Sequence, residues 1–126
     1  MVFDVFILFC MIFCHIVDDY YLQGWLASAK QRQWWRENAP DKLYRNDYLM
    51  ALSMHGFSWT FSIMLIPTLV FLSTINLWMY VTLFFANWLL HIWIDDMKAN
   101  DKTINLVEDQ ALHLLQIFIT WAFFIL

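Results

Sequence analysis

Residues 77–98 read LWMYVTLFFANWLLHIWIDDMK, an apolar run that ends in a histidine followed by two aspartates. Its part before the aspartates has no charged side chain and approaches the ~20 residues that a helix needs to cross the hydrocarbon core of a bilayer. Loops and open strands cannot cross lipid, because their backbone polar groups would lack hydrogen-bond partners. The stretch therefore predicts a transmembrane helix with polar residues at one end.

The rest of the 126-residue chain has the same character. Hydrophobic residues make up 62% of it and charged residues 14%, whereas a soluble domain is about half apolar and about a quarter charged. The eight Trp and five Tyr suit helix ends at membrane interfaces. We therefore expect an all-α protein, a four-helix transmembrane bundle that forms one domain over residues 1–126 and lies in the lipid bilayer.

Four apolar segments separated by polar ones set the expected helix bounds. We predict helices over about residues 2–27, 47–72, 77–97 and 105–126, with a polar cytoplasmic loop at 28–46. Asn105 followed by Glu108 matches a capping box that opens the last helix. The first run lacks a basic start and a small-residue cleavage site, so we expect a retained helix rather than a signal peptide. The alternative has three spans, with the first or last segment at the membrane interface.

The basic residues predict the orientation of this bundle. All seven Lys and Arg lie in two polar segments, residues 28–46 and 97–103, which four spans would put on one side of the membrane. Because cytoplasmic loops are rich in Lys and Arg, both segments are expected to be cytoplasmic and both termini non-cytoplasmic. Segment 28–46 is either an amphipathic helix on the membrane surface or a solvated linker. We expect no nucleic-acid binding from so few basic residues.

Three of the four histidines sit four residues from an aspartate, and residues at that spacing share one face of a helix. The pairs are His15 with Asp19, His91 with Asp95, and Asp109 with His113. The fourth histidine, His55, lies in a separate apolar segment. In the four-span arrangement all four histidines fall in the cytoplasmic half of the bundle. Because the orientation was assigned from Lys and Arg alone, this agreement in depth predicts that the histidines meet.

Imidazole and carboxylate groups that converge in a dry environment are typical ligands of transition metals. An intramembrane Asp costs roughly 2.5–3.5 kcal/mol on insertion scales, so such residues are rare and usually functional. We predict a site for one or two divalent ions, with Zn²⁺ preferred and Mn²⁺ or Fe²⁺ as alternatives. The predicted ligands are His15, Asp19, His55, His91, Asp95, Asp109 and His113. A structural or proton-relay network of the same residues is the other interpretation.

Further polar residues continue the same helix faces. We expect them to hydrogen-bond the ligands and orient them, or to be ordinary helix–helix contacts. These residues are Gln23, Asn87, Lys98 and Gln110. Asp18 and Asp96, which neighbour predicted ligands, are expected to reach the aqueous edge, or else to replace those neighbours as ligands.

Together these motifs resemble a family of small integral-membrane proteins from bacteria and their phages whose function is unknown. The pattern is His15 followed by DYYLQ at 19–23, then His55, then His91 with Asp95 and Lys98, then DQALH at 109–113. Residues 31–47 lie outside the pattern. The family is distantly similar to inner-membrane proteins described as metal-dependent hydrolases. The resemblance implies a multi-pass protein of the bacterial inner (cytoplasmic) membrane.

These expectations lead to a hypothesis for the function. A metal in such a site would polarise a phosphoryl or acyl oxygen and lower the pKa of water. We therefore expect a metal-dependent hydrolase that acts on a phosphoester or lipid-like substrate at the cytoplasmic leaflet, with Asp19, Asp95 or Asp109 as the general base. The alternatives are metal or proton transport, and a phage membrane effector whose metal site is structural. The chain could also form a homo-oligomer.

Overall fold

The computed structural model describes all of residues 1–126, and every regular element in it is helical. The prediction of an all-α fold is therefore confirmed. The six α-helices are α1 Val2–Val17, α2 Leu26–Ala29, α3 Arg32–Asn38, α4 Asp47–Phe71, α5 Leu77–Asp96 and α6 Leu106–Ile125. A π-helical turn extends α1 over Asp18–Leu22, another extends α5 over Met97–Asp101, and a 3₁₀ turn spans Lys42–Tyr44.

Asparagine side chains cap the N-termini of two of the long helices. Asn105 accepts the backbone N–H groups of Val107 and Glu108, and its own N–H donates to Glu108 Oε2 at 2.9 Å. The predicted capping box is confirmed. The side chain of Asn76 accepts the N–H of Met79 at 3.1 Å at the start of α5. Both caps satisfy N–H groups that a helix leaves without partners in its first turn.

Three long helices, α1, α5 and α6, pack around the fourth, α4. A glycine lets α4 and α5 approach closely: a Cβ atom at Gly56 would lie 3.0 Å from Ile92 Cγ1 and 3.2 Å from Trp88 Cδ1. The indole Nε1 of Trp88 donates to the backbone oxygen of Ser53 at 2.8 Å across the same contact. Because Gly56 follows His55, this close approach also brings His55 towards α5.

The two ends of the bundle have different interiors. At the polar end, where α1 and α5 finish and α4 and α6 begin, the buried residues include the four histidines and three aspartates. At the apolar end the core is a packed cluster of hydrophobic side chains. Its members include Ile7, Met11, Ile63, Met64, Leu83, Ile117 and Phe124. Of the 25 buried residues in the chain, 11 are polar or charged, a high share for a protein interior.

Large apolar side chains cover the outside of all four long helices. Examples are Phe9, Phe13, Met54, Phe61, Leu89, Trp93, Phe118 and Phe123. Two helical segments, Lys42–Phe71 and Leu77–Asp101, are long and apolar enough to cross a membrane by length and composition alone. Four spans, and termini outside the cytoplasm, stay predictions.

Segment 28–46 is folded against the polar end. The backbone N–H of Arg32 donates to Asn100 Oδ1 at 2.7 Å, and Asn100 Nδ2 donates to the backbone oxygen of Lys30 at 3.0 Å. Trp35 Nε1 donates to the backbone oxygen of Ala29 at 2.6 Å. Since α2 and α3 also pack on α4, the first part of the segment docks on the bundle and is not a solvated linker, whereas residues 40–46 are exposed; we call the segment the cap.

Candidate metal centre

Histidine and aspartate side chains from different helices meet inside the polar end. In each of two groups of three residues, one donor atom per residue lies within 4.8 Å of the other two. The groups are Asp19 with His55 and His91, and His91 with Asp95 and His113. Every member is buried except Asp19, which is partly exposed. The chain therefore contains buried His/Asp clusters that could hold a metal ion.

Asp95 lies at the centre of these contacts. Its Oδ2 atom is 3.4 Å from His55 Nε2 and 3.8 Å from His91 Nε2. Its Oδ1 atom is 3.4 Å from His113 Nε2. On the other side of His55, Nε2 lies 3.2 Å from Asp19 Oδ1. One carboxylate thus faces imidazoles from α4, α5 and α6.

Asp18 is buried, so the expectation that it reaches the aqueous edge is wrong. Its Oδ2 atom accepts hydrogen bonds from Ser58 Oγ at 2.8 Å and Ser62 Oγ at 2.9 Å. Its Oδ1 atom lies 3.6 Å from His55 Nδ1. A carboxylate behind one nitrogen of a histidine leaves the lone pair on the other nitrogen for a metal. The π-helical turn that begins at Asp18 lets two successive aspartates point inward. Serines one turn apart on α4 are the sequence signal that could have identified Asp18.

Asp96, in contrast, lies at the edge. Its side chain is 23% exposed and pairs with Arg32 Nη2 at 3.0 Å. Asn100 Nδ2 also donates to Asp96 Oδ1 at 2.7 Å. Asp96 therefore anchors segment 28–46 and takes no part in the two groups.

Both ring nitrogens of His15 have hydrogen-bond partners. The indole N–H of Trp59, which can only donate, lies 2.8 Å from Nδ1. The ring proton is then on Nε2, which donates to Gln110 Oε1 at 3.1 Å. Asp19 Oδ2 lies 3.5 Å from His15 Nδ1. His15 is next to the cluster but belongs to neither group, and its assignment as a ligand stays a prediction.

Asp109 is also next to the two groups rather than within them. Its Oδ1 atom lies 3.4 Å from His113 Nε2. Its Oδ2 atom accepts hydrogen bonds from Lys98 Nζ at 2.7 Å and from Gln110 Nε2 at 3.0 Å. Gln110 Nε2 also lies 3.4 Å from Asp19 Oδ2. Two of the residues expected to orient the ligands, Lys98 and Gln110, therefore contact predicted ligands.

The other two residues expected to orient ligands differ in their contacts. Gln23 Nε2 lies 3.2 Å from His55 Nε2 and 3.3 Å from the backbone oxygen of Asp19. Asn87 bonds elsewhere: its Nδ2 donates to Thr120 Oγ1 at 2.8 Å, and its backbone oxygen accepts from Gln116 Nε2 at 2.7 Å. Asn87 thus joins α5 to α6, one turn from His91, and touches no predicted ligand.

Two residues that the motifs did not indicate complete the cluster. Lys30 reaches in from segment 28–46, and its Nζ lies 2.6 Å from Asp95 Oδ2 with the lysine side chain 13% exposed. Trp59 is fully buried, and its ring stacks on His91 with 4.2 Å between centroids. No spacing in the sequence relates Lys30 to Asp95, because their contact depends on how the cap docks. Trp59 lies one turn after His55 on α4, a signal that could have found it.

Several buried oxygen and nitrogen atoms of the cluster, which could act as metal ligands, make no hydrogen bond. They are Asp18 Oδ1, Asp19 Oδ1, Asp109 Oδ1, His55 Nδ1 and both ring nitrogens of His91 and of His113. Buried polar atoms in folded proteins almost always have a partner. A cation that accepts lone pairs from several of these atoms at once would satisfy them, so the residues present fit a divalent metal.

A cavity of about 400 Å³ opens from the cluster to the surface at the polar end. Asp19 and Asp95 line its inner part, and three lysines, Lys30, Lys98 and Lys102, line its walls. We call it the lysine cavity. It gives the cluster access to solvent and to small molecules. Lys30 and Lys98 are paired with Asp95 and Asp109, and Lys102 adds a cation without an ion pair at the cavity wall, which favours an anionic molecule.

The chain matches no protein-family model, no curated protein sequence and no solved structure. The family resemblance drawn from the motifs therefore stays a prediction, and the chemistry of the site follows from its own residues.

Proposed function

We propose that this chain is an integral-membrane, metal-dependent hydrolase that acts on the phosphoester of a lipid-like substrate at the cytoplasmic leaflet. The observation that carries the proposal is the junction of two features. A buried cluster of imidazoles and carboxylates lies at the inner end of a cavity whose walls carry Lys30, Lys98 and Lys102. The first feature suits a metal and the second suits a phosphate.

The distribution of side chains supports the membrane part of the proposal. Soluble monomers rarely expose contiguous apolar patches larger than a few hundred Å², whereas here the outer faces of all four long helices are apolar. The buried charged groups lie inside the bundle, as intramembrane charges do. Trp34 and Trp35 of segment 28–46 pack with Trp25, which precedes the segment, and the three rings form a cluster suited to the headgroup region.

The charges at the cluster favour a single divalent ion. Asp18, Asp19, Asp95 and Asp109 carry four negative charges, and Lys30 and Lys98 contribute two positive ones. With neutral histidines two negative charges remain, which one divalent ion offsets. A second ion would leave an excess of two positive charges, to be balanced by an anionic substrate. Mixed imidazole and carboxylate donors favour Zn²⁺, with Mn²⁺ or Fe²⁺ as alternatives.

Different residues around the cavity have different roles in the proposed hydrolysis. A divalent metal held by the cluster would polarise a phosphoryl oxygen and lower the pKa of water. Asp19 borders both the cluster and the cavity, so its carboxylate can accept the proton of the attacking water. The water oxygen then bonds to phosphorus while the bond to the alcohol oxygen breaks, and the alcohol leaves with a proton from solvent. The lysines hold the phosphate oxygens.

A second opening supports a lipid-like rather than a soluble substrate. An open cleft of about 470 Å³ between α1 and α6 is lined by Ile12, Ile16 and Leu114, with His15 and Gln110 also on its wall. Tyr20 and Gln110 line both this cleft and the lysine cavity. An amphipathic molecule could therefore rest its phosphate among the lysines and its chain between α1 and α6.

The apolar end counts against transport. The buried polar side chains of Asn87, Gln116 and Thr120 lie just beyond the histidines. The cluster of Ile63, Met64, Leu83 and Phe124 fills the rest of the bundle, so polar groups do not reach the other end. The open cavity counts against a purely structural metal, which is normally enclosed by protein ligands.

The test compares two adjacent aspartates. The full chain, Asp95→Asn and Asp96→Asn are purified in detergent, their metal content is measured by mass spectrometry, and phosphate release is assayed on phosphomonoesters and short-chain phosphatidic acid. We expect metal and activity in the full chain and in Asp96→Asn, and loss of both in Asp95→Asn. Metal that is retained by wild type without hydrolysis across the panel would favour the structural site. Metal or proton flux in proteoliposomes would favour transport.

A further inference from the structure

A second cavity, with a volume of about 660 Å³, lies away from the histidines. It is bounded by α3, the 3₁₀ turn and the start of α4, within and beside segment 28–46. Four of the seven basic residues of the chain line it, namely Arg32, Arg36, Lys42 and Arg45. We call it the arginine cavity. It shares no lining residue with the lysine cavity, so the two are separate sites.

Most of the positive charge in the arginine cavity is unpaired. Among all Lys and Arg side chains, only Lys30, Arg32 and Lys98 form ion pairs. The three other cations of the cavity, Arg36, Lys42 and Arg45, are exposed and form no ion pair. The one carboxylate on the cavity wall, Asp41, accepts the backbone N–H of Leu43 at 2.8 Å. A chain with a net charge of −4 thus places four cations and one carboxylate around one cavity.

Aromatic rings next to these cations indicate where the cavity lies relative to a bilayer. Trp35 lines the cavity, packs edge-to-face on Trp34 with 5.0 Å between centroids, and stacks on Tyr44 at 6.5 Å. The guanidinium carbon of Arg32 lies 4.9 Å from the centroid of Tyr48. Tryptophan and tyrosine occur preferentially at the depth of lipid headgroups. The arginine cavity therefore opens at the level of lipid phosphates when the long helices cross the bilayer.

We propose that the arginine cavity binds a phosphate group, carried by the headgroup of an anionic phospholipid. Arginine guanidinium groups suit phosphate because their planar N–H groups donate to two oxygens at once. The volume admits a headgroup and its bound water. Arg32 connects this cavity to the end of α5 and its π-helical turn, since it also pairs with Asp96 and Asp101. A bound headgroup thereby holds segment 28–46 against both the membrane and the polar end. This site does not depend on the metal centre.

The test measures binding of soluble probes to the full chain in a neutral detergent by calorimetry. The probes are dihexanoyl phosphatidylglycerol, dihexanoyl phosphatidylcholine and inorganic phosphate. We expect phosphatidylglycerol to bind with one-to-one stoichiometry and the zwitterionic lipid to bind at least tenfold more weakly. The double variant Arg36→Gln/Arg45→Gln is expected to lose at least tenfold in affinity for phosphatidylglycerol. The charge-preserving variant Arg36→Lys/Arg45→Lys should retain most of it.

The matched control removes two cations from the other cavity. Lys98→Gln/Lys102→Gln is expected to change phosphatidylglycerol affinity less than twofold. If this variant rather than the arginine variant loses binding, the lipid occupies the lysine cavity and the proposal is wrong. Equal affinity of all variants would also overturn it. Inorganic phosphate that binds as tightly as the lipid, and is lost with the arginines, supports the phosphate site and assigns it a soluble ligand. Melting temperatures of all three double variants verify folding.

Discussion

The polar end and the apolar end of the bundle are built by the same four helices, yet different forces hold them together. At the apolar end, side chains such as Ile63 and Met64 are buried among other apolar side chains. These contacts require no hydrogen-bond partner. At the polar end, His91, Asp95 and His113 face one another with donor atoms that lack hydrogen bonds. The comparison teaches that one end is stabilised by packing, whereas the other contains His/Asp groups that could hold a metal ion.

The largest effect concerns which end faces the cytoplasm. We expect a reporter enzyme fused after Leu126 to be active only if it is one that functions outside the cytoplasm, because all Lys and Arg lie at the polar end. The measurement compares a periplasmic and a cytoplasmic reporter at the same position. Cytoplasmic activity would reverse the assignment of the two ends and contradict a site at the cytoplasmic leaflet.

A variant at the polar end should remove the metal and destabilise the protein together. His91 belongs to both groups of donors, so His91→Ala is expected to abolish metal binding and hydrolysis. The buried carboxylates then lack a compensating cation, which costs about 3–5 kcal/mol when one partner of a buried pair is lost. Metal analysis and melting in detergent verify this. Full metal content in His91→Ala would show that the cluster is held by other ligands.

A variant at the apolar end should destabilise without affecting metal. Ile63 is fully buried in the apolar cluster, and Ile63→Ala is expected to cost about 2 kcal/mol through the cavity it leaves. This value is at the lower end of the range for Ile→Ala substitutions. We expect the low value because lipid or detergent also surrounds the apolar side chains of the unfolded helices. Melting with and without a chelator separates the two ends: the chelator should lower the melting temperature of Ile63→Ala as much as that of wild type. A loss of metal in this variant would mean that the ends are coupled.

A smaller effect on metal affinity is expected for Asp18, which contacts a predicted ligand but is not one of the predicted ligands. Asp18 accepts bonds from Ser58 and Ser62 and faces His55 Nδ1. Asp18→Asn preserves shape but removes the charge that orients the imidazole, so metal affinity should fall about 10–100-fold while the protein still folds. Competition with a fluorescent chelator measures it, and Asp96→Asn is the matched control. Unchanged affinity would make Asp18 a helix–helix contact only.

The smallest effect is expected in the walls of the lysine cavity. Lys98→Gln removes a cation from the wall of the cavity in which we place the phosphate. The Lys98 side chain is partly exposed, although it pairs with Asp109. We expect the KM for a phosphoester to rise about tenfold, since a hydrogen bond to a charged group contributes about 1.5–3 kcal/mol, while kcat changes little. Steady-state kinetics distinguish this from a metal defect, which would lower kcat. A normal KM would exclude Lys98 from substrate binding.

The sequence alone determined the helical architecture and the neighbourhood of the site. Apolar runs near the length of a bilayer and Asn105 with Glu108 predicted the long helices, because helix length and capping are local properties of a chain. The spacing of His91 and Asp95, and of Asp109 and His113, likewise follows from helical periodicity. Their common depth predicted that these residues meet, and in the structure they do.

Only the tertiary structure decided which side chains around the site contact one another. Asp18 is buried because the π-helical turn and two serines of α4 receive it, and His15 bonds to Trp59 because α1 and α4 pack at that level. Lys30 reaches Asp95 because the cap docks on α5. Each of these contacts joins residues far apart in the chain, where helical periodicity carries no information. Their energies depend on how closely whole helices approach, as at Gly56.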